Sequence, residues 1–362
     1  MSSAIYYAGF DPGSGEATLS LSSADGIEPG ASLLSIPSFV ADGNASGLLE
    51  SRSRISSQTL GQVLREDEYV IQYQDQDYYV GKLAIADGTN ATNALGDKGR
   101  YEGLHSQMLL FALVAALIPE TEVELRLVTA LPVKLYDKEM RKNVKRNLEG
   151  YYRFTANGIE RELVVKVGAV IMEGQGVLFH HSDEASEEQA VIDIGERTVD
   201  LVALDNAGNP LLRFCGGAVL GVGQVVDELV ESIRQTYGRM ITPNMAHRVL
   251  RAYAHDETLP VIKVNNVPVP PEYITGVIEQ SIERVGRSIN IFISQKWNVE
   301  GAAIGSNFDA IYIAGGGAYY FTDIIRRQLM AAQMTDNPEH ANVQGYHDLA
   351  LNLESIKATV WR

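Results

Sequence analysis

Asp11 and Asp193 are the residues of this chain whose setting points to chemistry. Each ends an apolar run and stands two positions before a glycine, in FDPGSGEATLSL (10–21) and VIDIGERTVDLVAL (191–204). A carboxylate at a strand end can hold a magnesium ion through water. A bend carrying Gly195 and Thr198 can aim backbone N–H groups and a hydroxyl at a phosphate. The first bend supplies Gly13, Ser14 and Gly15 for the same purpose. Asp and Gly at a bend are also ordinary hairpin chemistry, so neither stretch decides alone. A third stretch, AIYIAGGGAYYF at 310–321, is a strand that ends in Gly315, Gly316 and Gly317 and enters a helix. Three glycines there would let a flat ring lie close against the backbone.

The elements that must position these residues are hairpins. Residues 190–194 and 198–202 read as two strands in strict alternation around the second bend, and 6–10 and 18–21 repeat that grammar around the first. Two such hairpins about half a chain apart imply a duplicated domain whose halves grip one nucleotide from opposite sides.

In order, FDPGSG, IDIGERTVD and YIAGGGAYYF resemble the two phosphate motifs and the adenosine motif of the actin, hexokinase and heat-shock-chaperone ATPase superfamily. Within it the chain is most similar to actin-like filament proteins of the ParM (StbA) plasmid-segregation type and their archaeal counterparts. TALPVKLYDKE at 129–139, FCGGAVLGVGQVVDELV at 214–230 and PEHANVQGYHDLA at 338–350 extend the likeness nearly end to end. It implies an α/β fold of duplicated ribonuclease-H-like domains with a nucleotide cleft between them. Residues 1–185 would form domain I, joined by a returning helix at 345–362, and residues 186–344 domain II.

The resemblance also distributes roles. Backbone N–H groups of 13–15 and 195–198, with the Ser14 and Thr198 hydroxyls, would cradle the phosphates of ATP or GTP. Asp11 and Asp193 would hold Mg2+ through water. Glu173, in VIMEGQGVLF, would place the attacking water, with Gln175 as the fallback. Thr18 stands where actin-type motifs commonly carry a phosphate-reaching lysine. Arg197 either supplies that missing charge or pairs with Glu196, which would otherwise bring negative charge near the nucleotide. Gly315, Gly316, Gly317, Gly216 and Gly217 are the positions for base and ribose, and Asp227 could reach a ribose hydroxyl.

A chain of 362 residues has room for two cores. Its net charge of −16 argues against broad electrostatic attachment to nucleic acid or an anionic membrane, so a DNA contact would run through an adaptor. Cys215 is the only cysteine, which rules out an intrachain disulfide and fits a reducing cytoplasm, and a small buried residue is its plain reading. The longest apolar run, 108–118, falls short of the ~20 residues that span a bilayer and reads as a buried helix.

Residues 27–62 read as short strands and loops, 68–83 as a hairpin turning at 74–77, 93–100 as a polar loop and 101–117 as a helix. A strand over 122–130 stops at Pro132. A helix over 137–149 follows, presenting Lys138, Arg141, Lys142, Lys145 and Arg146, which read as a solvated face before an interface. A strand over 161–172, a short helix from 174 and an acidic hinge at 182–188 come next. Gly216-Gly217 lead into a helix over 219–237, a polar segment runs to His255, and 260–271 is a proline-punctuated strand or loop. Helices are expected at 272–297, 322–332 and 345–360.

The implied function is a cytoplasmic ATPase that polymerises with ATP into filaments that weaken after hydrolysis, and that moves or spaces plasmid DNA. A small-molecule kinase on the same fold, or a non-polymerising nucleotide-dependent regulator, would use the same phosphate residues. Kinase chemistry would further need an Asp base facing an acceptor pocket.

Overall fold

The computed structural model of the protein describes residues 3–24, 32–53, 57–93, 97–180 and 188–356, with backbone alone at 97–98 and 354–356. The chain divides into two compact units. One comprises residues 1–131, 135–172 and 342–362, the other 132–134 and 173–341. The first boundary therefore falls after Met172, upstream of the expected 185. The reason is local: the helix Gln175–His180 packs on the strands Glu188–Ile194 and Val199–Asp205 of the second unit. The hinge expected at 182–188 lies almost wholly outside the described residues.

In the first unit, ten described strands form one sheet. In spatial order they are Ser32–Pro37, Glu16–Ser23, Ala4–Asp11, Glu122–Leu131, Ile159–Met172, Gly150–Ala156, Glu68–Tyr73, Gln76–Gly81, Val40–Asp42 and Thr89–Thr92. In the second unit five strands run Gly216–Ala218, Val199–Asp205, Glu188–Ile194, Ala310–Ala314 and Gln333–Met334. The first four places of each sheet match. An antiparallel hairpin carries a third antiparallel strand on its outer side, and its inner strand pairs in parallel with a later strand. The repetition read from the two Asp-x-Gly bends is thus a repetition of topology.

Each unit has its own core. In the first, Phe10, Leu19, Leu127 and Val165 pack from the sheet against the helix Leu104–Leu117, whose residues 108–114 are buried. In the second, Ile192, Ile194 and Leu201 meet Leu229, Ile289 and Trp297 of the helices Val222–Tyr237 and Pro271–Trp297. Trp297 is fully buried and still satisfied, because its ring N–H donates to the Phe214 carbonyl at 2.9 Å. Cys215 is buried, as its plain reading had it. No described helix is long and apolar enough to cross a membrane.

The helix Ala341–Ile356 returns to the first unit from Asn342 onward, three residues earlier than the 345 expected, and the stretch beyond 356 lies outside the described residues. It crosses the first hairpin at Gly9, where a Cβ would run into the Val343 carbonyl and sit 2.6 Å from the His347 nitrogen. His347 closes the contact, with Nε2 2.8 Å from the Ser22 hydroxyl. Gly9→Ala is therefore expected to cost about 1–3 kcal/mol or more, read as a lowered denaturation midpoint.

Other differences have local causes. Residues 45–52 form a helix, not strand or loop, because Asn44 caps it at Gly47 and the Asp77 carboxylate accepts the Ala45 N–H at 2.7 Å. The polar stretch before His255 is the helix Pro243–Ala254, started by a Thr242 cap and Pro243. The helix expected over 101–117 is broken at Gly103 into Asp97–Glu102 and Leu104–Leu117, so the loop expected over 93–100 is partly helical. Helix 322–332 is instead Ala318–Arg326, opening directly from Gly317. The strand Gly150–Ala156 had no sequence reading of its own. The hairpin at 68–83 is present, with a tighter turn in which Gln74 and Asp75 both take positive φ. The helix Lys138–Leu148 buries Met140, Val144 and Leu148 and exposes the five basic side chains.

His105, in the first turn of its helix, is 8% exposed, and its pKa is pushed down to about 4 by burial and then by Arg100. The unfolded chain binds this proton near pH 6.5, so the neutral ring's contribution is complete above that value and is lost as pH falls toward 4. The drop in unfolding free energy between pH 7 and pH 4 is expected to shrink by about 3 kcal/mol in His105→Gln. Urea denaturation at the two pH values checks it.

Candidate nucleotide site

The first bend sits at the end of Ala4–Asp11. Asp11 lies opposite Thr18 in the hairpin and is partly buried. The loop between them is tight: a Cβ on Gly13 would stand 2.5 Å from the Glu16 carbonyl. Ser38, just past the neighbouring strand, holds this loop by two contacts. Its hydroxyl donates to the Gly13 carbonyl at 2.5 Å and its N–H to the Gly15 carbonyl at 3.0 Å. Both contacts use carbonyls, so neither takes an amide N–H, the group a phosphate would need. Ser14 and Gly15 remain partly or fully exposed. Thr18 is buried, and its hydroxyl is 2.8 Å from that of Ser35 within the sheet.

The second bend is built differently from expectation in three respects. Gly195 donates its N–H to the Thr198 carbonyl at 2.8 Å, so that donor closes the hairpin and does not face a phosphate. Its carbonyl and that of Glu196 instead accept from Val222 and Gly223, at the start of the helix Val222–Tyr237. The Thr198 hydroxyl bonds the Asp200 carboxylate. Arg197 is exposed and acts on Glu196 only through its field, whereas the short contact of Glu196 is with His247 Nε2, at 3.3 Å.

Asp193 is 9% exposed and lies directly across the hairpin from Asp200, itself 2% exposed. No assignment from sequence included Asp200. Its Oδ1 accepts the Val133 N–H at 2.9 Å, tying the 132–134 segment to the hairpin. Burial first, and the Asp193 carboxylate next, hold its pKa well above the usual carboxylate range; the Val133 and Thr198 bonds and Lys134 pull the other way. Two carboxylates facing one another with so little water form a site that a cation would relieve. That donor chemistry fits magnesium held through water, with Asp193 as the ligand-side group.

Gly216 and Gly217 do not open a helix. They form the edge strand Gly216–Ala218, and the helix starts at Val222. A Cβ on Gly217 would be 2.8 Å from Asp200 Oδ1, and one on Gly216 2.5 Å from Lys296 Cε. Both glycines make room for side chains of their own unit. The triple glycine divides likewise. Gly315, at φ 80°, and Gly317 are pressed against Ile194, and a Cβ at 315 would be 2.6 Å from Asp193 Oδ1. Gly316 alone faces open space.

Beside that turn stand Tyr320 and Tyr319, with Arg251 acting on both phenols and His255 5.0 Å from the Tyr319 ring. Glu196 joins this group. Its pKa is raised to about 7 by burial first, then by Asp227, against the pull of Arg197. His247 is pushed the other way by burial, so near neutral pH a partly protonated carboxyl faces a neutral imidazole. The Glu196 charge is thus reduced, not removed, near neutral pH. Asp227 is exposed and one element removed from the bend it influences. The two tyrosines stand inside the quoted YIAGGGAYYF stretch, whereas Arg251 and His255 come from the helix Pro243–Ala254 and its end, and no local motif announces those two.

Glu173 follows the strand Ile159–Met172 and is partly buried. The next residue, Gly174, takes φ 93°, and a Cβ there would sit 2.8 Å from Val191 Cγ1. This clamps Glu173 at a set distance from the strand that carries Asp193. Gln175 is buried, 4% exposed, at the start of its helix.

The sequence matches the family described as actin like proteins, N terminal domain, over residues 10–176, and archaeal actin homologue MreB-like, C-terminal, over 191–327. No curated protein matches it. Among solved structures, the archaeal actin homologue Ta0583 in complex with ADP aligns with a TM-score of 0.71 at 18% identity, covering 96% of this chain and 99% of its own. A 15-stranded ParM filament from Clostridium botulinum gives 0.71 at 16% identity, with 97% and 100% covered. Bacillus thuringiensis ParM with AMPPNP gives 0.67 at 17%, with 97% and 99% covered. At these identities the structural likeness is one of fold.

Proposed function

Because this chain belongs to the actin-like proteins, matched in both its N-terminal and C-terminal domains, we propose that it is a nucleotide-dependent, filament-forming ATPase. The observation that carries the reading is the repeated hairpin: each unit ends the first strand of a matching sheet in an Asp-x-Gly bend. Asp11 and Asp193 hold Mg2+ through water, and the amides of residues 13–15 and 196–198 meet the phosphates of ATP or GTP. The open face at Gly316 with Tyr320 and Arg251 takes the base, and the Gly216-Gly217 backbone stays assigned to base and ribose. Magnesium and the triphosphate supply the cleavable bond and neutralise its charge. Glu173 orients a water for attack.

A ParM solved as a 15-stranded filament supports self-association as the consequence. A head-to-tail contact whose rotation does not close is its physical requirement. With a net charge of −16, we place any DNA cargo on a separate adaptor. Sedimentation with Mg-ATP and Mg-GTP, followed by negative-stain microscopy, tests the proposal. Pelleted filaments that need the triphosphate are expected. Protein that hydrolyses nucleotide but stays in the supernatant at every concentration would favour the non-polymerising regulator, and phosphoryl transfer to a sugar the kinase.

A further inference from the structure

Ser38 lies outside every motif that the sequence singles out. It is fully buried, and it follows Pro37, which pairs with Glu16 across the sheet. The strand Ser32–Pro37 thereby delivers Ser38 beneath the first bend, where it grips both ends of the Gly13-Ser14-Gly15 loop by their carbonyls. In a trans peptide the C=O of one residue and the N–H of the next point in opposite directions. Holding the Gly13 carbonyl toward the buried Ser38 therefore turns the Ser14 N–H away from it. A loop with this short a span has little freedom otherwise, since Gly13 already sits against the Glu16 carbonyl.

We propose that Ser38 is a positioning residue of the first phosphate bend, fixing the loop by its carbonyls so that the Ser14 amide is presented to phosphate. The assignment rests on the nucleotide reading above. It also supplies a reason why this bend can function with Thr18, whose hydroxyl is engaged by Ser35, at a position where a lysine would add charge. Orientation of amide dipoles replaces part of what a cation would provide.

The test compares Ser38→Ala and Ser38→Thr with the wild-type full chain, measuring affinity for a non-hydrolysable ATP analogue with magnesium and, by ligand-observed NMR, for adenosine. Ser38→Ala removes one hydrogen bond to the loop and is expected to weaken the triphosphate analogue about tenfold. Adenosine, which lacks phosphates, should bind within about twofold of wild type, and Ser38→Thr, which keeps the hydroxyl, should restore the analogue to near wild-type affinity. If Ser38→Ala fails to fold, Ser38→Cys, with a weaker donor of similar size, should show the same split at several-fold. A merely structural serine would weaken both ligands alike, and that result overturns the assignment. So does a wild-type chain that binds the analogue while Ser38→Ala binds it equally well. A wild-type chain that binds no triphosphate overturns the nucleotide reading itself, and the Ser38 assignment with it.

Discussion

Glu173→Ala is expected to cut nucleotide turnover by about 10²–10³-fold while triphosphate binding stays within a few-fold of wild type. The split follows from where Glu173 stands. It is not part of either phosphate bend, and it leaves the strand Ile159–Met172 on a turn that Gly174 locks against Val191. In the proposed function a side chain so placed, beside a backbone packed against the strand that carries Asp193, orders a water without contributing to ground-state phosphate binding. Phosphate release measured alongside analogue affinity checks both halves. Filaments of the variant should persist longer in ATP, because the product state forms slowly. If turnover is unchanged, the role passes to Gln175, which is buried beside it, and Gln175→Ala should then carry the defect.

Asp193→Asn is expected to separate function from stability. Outer-sphere magnesium groups typically contribute about 10–100-fold to metal affinity or activity, so the magnesium-dependent part of nucleotide binding should fall by that factor. Stability should move the other way. Asp200 has its pKa raised by burial and by the Asp193 carboxylate. A carboxylic acid raised in the folded state contributes stability below its unfolded pKa, and that contribution is lost as pH rises through the folded value. Removing the Asp193 charge lowers the Asp200 pKa back toward its unfolded value and relieves this loss. Asp193→Asn should therefore melt at a higher temperature than wild type at pH 8, with the gain shrinking toward pH 4. Thermal melts at the two pH values check the sign.

Much of this arrangement is legible in the sequence, and the boundary is physical. The two hairpins are written in period-two alternation around an Asp-x-Gly bend, a signal contained within some fifteen residues, and both hairpins form at those positions. The long helix Pro271–Trp297 is likewise fixed by its own apolar spacing. Glycine is more ambiguous. It signals close approach without saying of what: Gly216, Gly217, Gly315 and Gly317 lie close to Lys296, Asp200 and Ile194, neighbours that no local pattern names. Ser38, Asp200 and the Glu196–His247 contact join residues far apart in the chain through packing, which no local pattern encodes. Asp200 is the partial exception, since it stands inside the quoted IDIGERTVD stretch, where alternation places it opposite Asp193. The helix Pro243–Ala254 was also within reach, because Thr242-Pro243 is a start signal.

The most direct measurement is equilibrium binding of a non-hydrolysable ATP analogue to the wild-type chain, Asp11→Ala and Asp193→Ala, each with magnesium and with EDTA. One analogue per wild-type chain, tightened by magnesium, is predicted, and each single variant alone should lose most of that tightening, because the proposed function gives each bend part of the same ion-bound triphosphate. Binding that ignores magnesium, a variant of either aspartate that behaves as wild type, or no binding of ATP or GTP analogues at all would contradict the account.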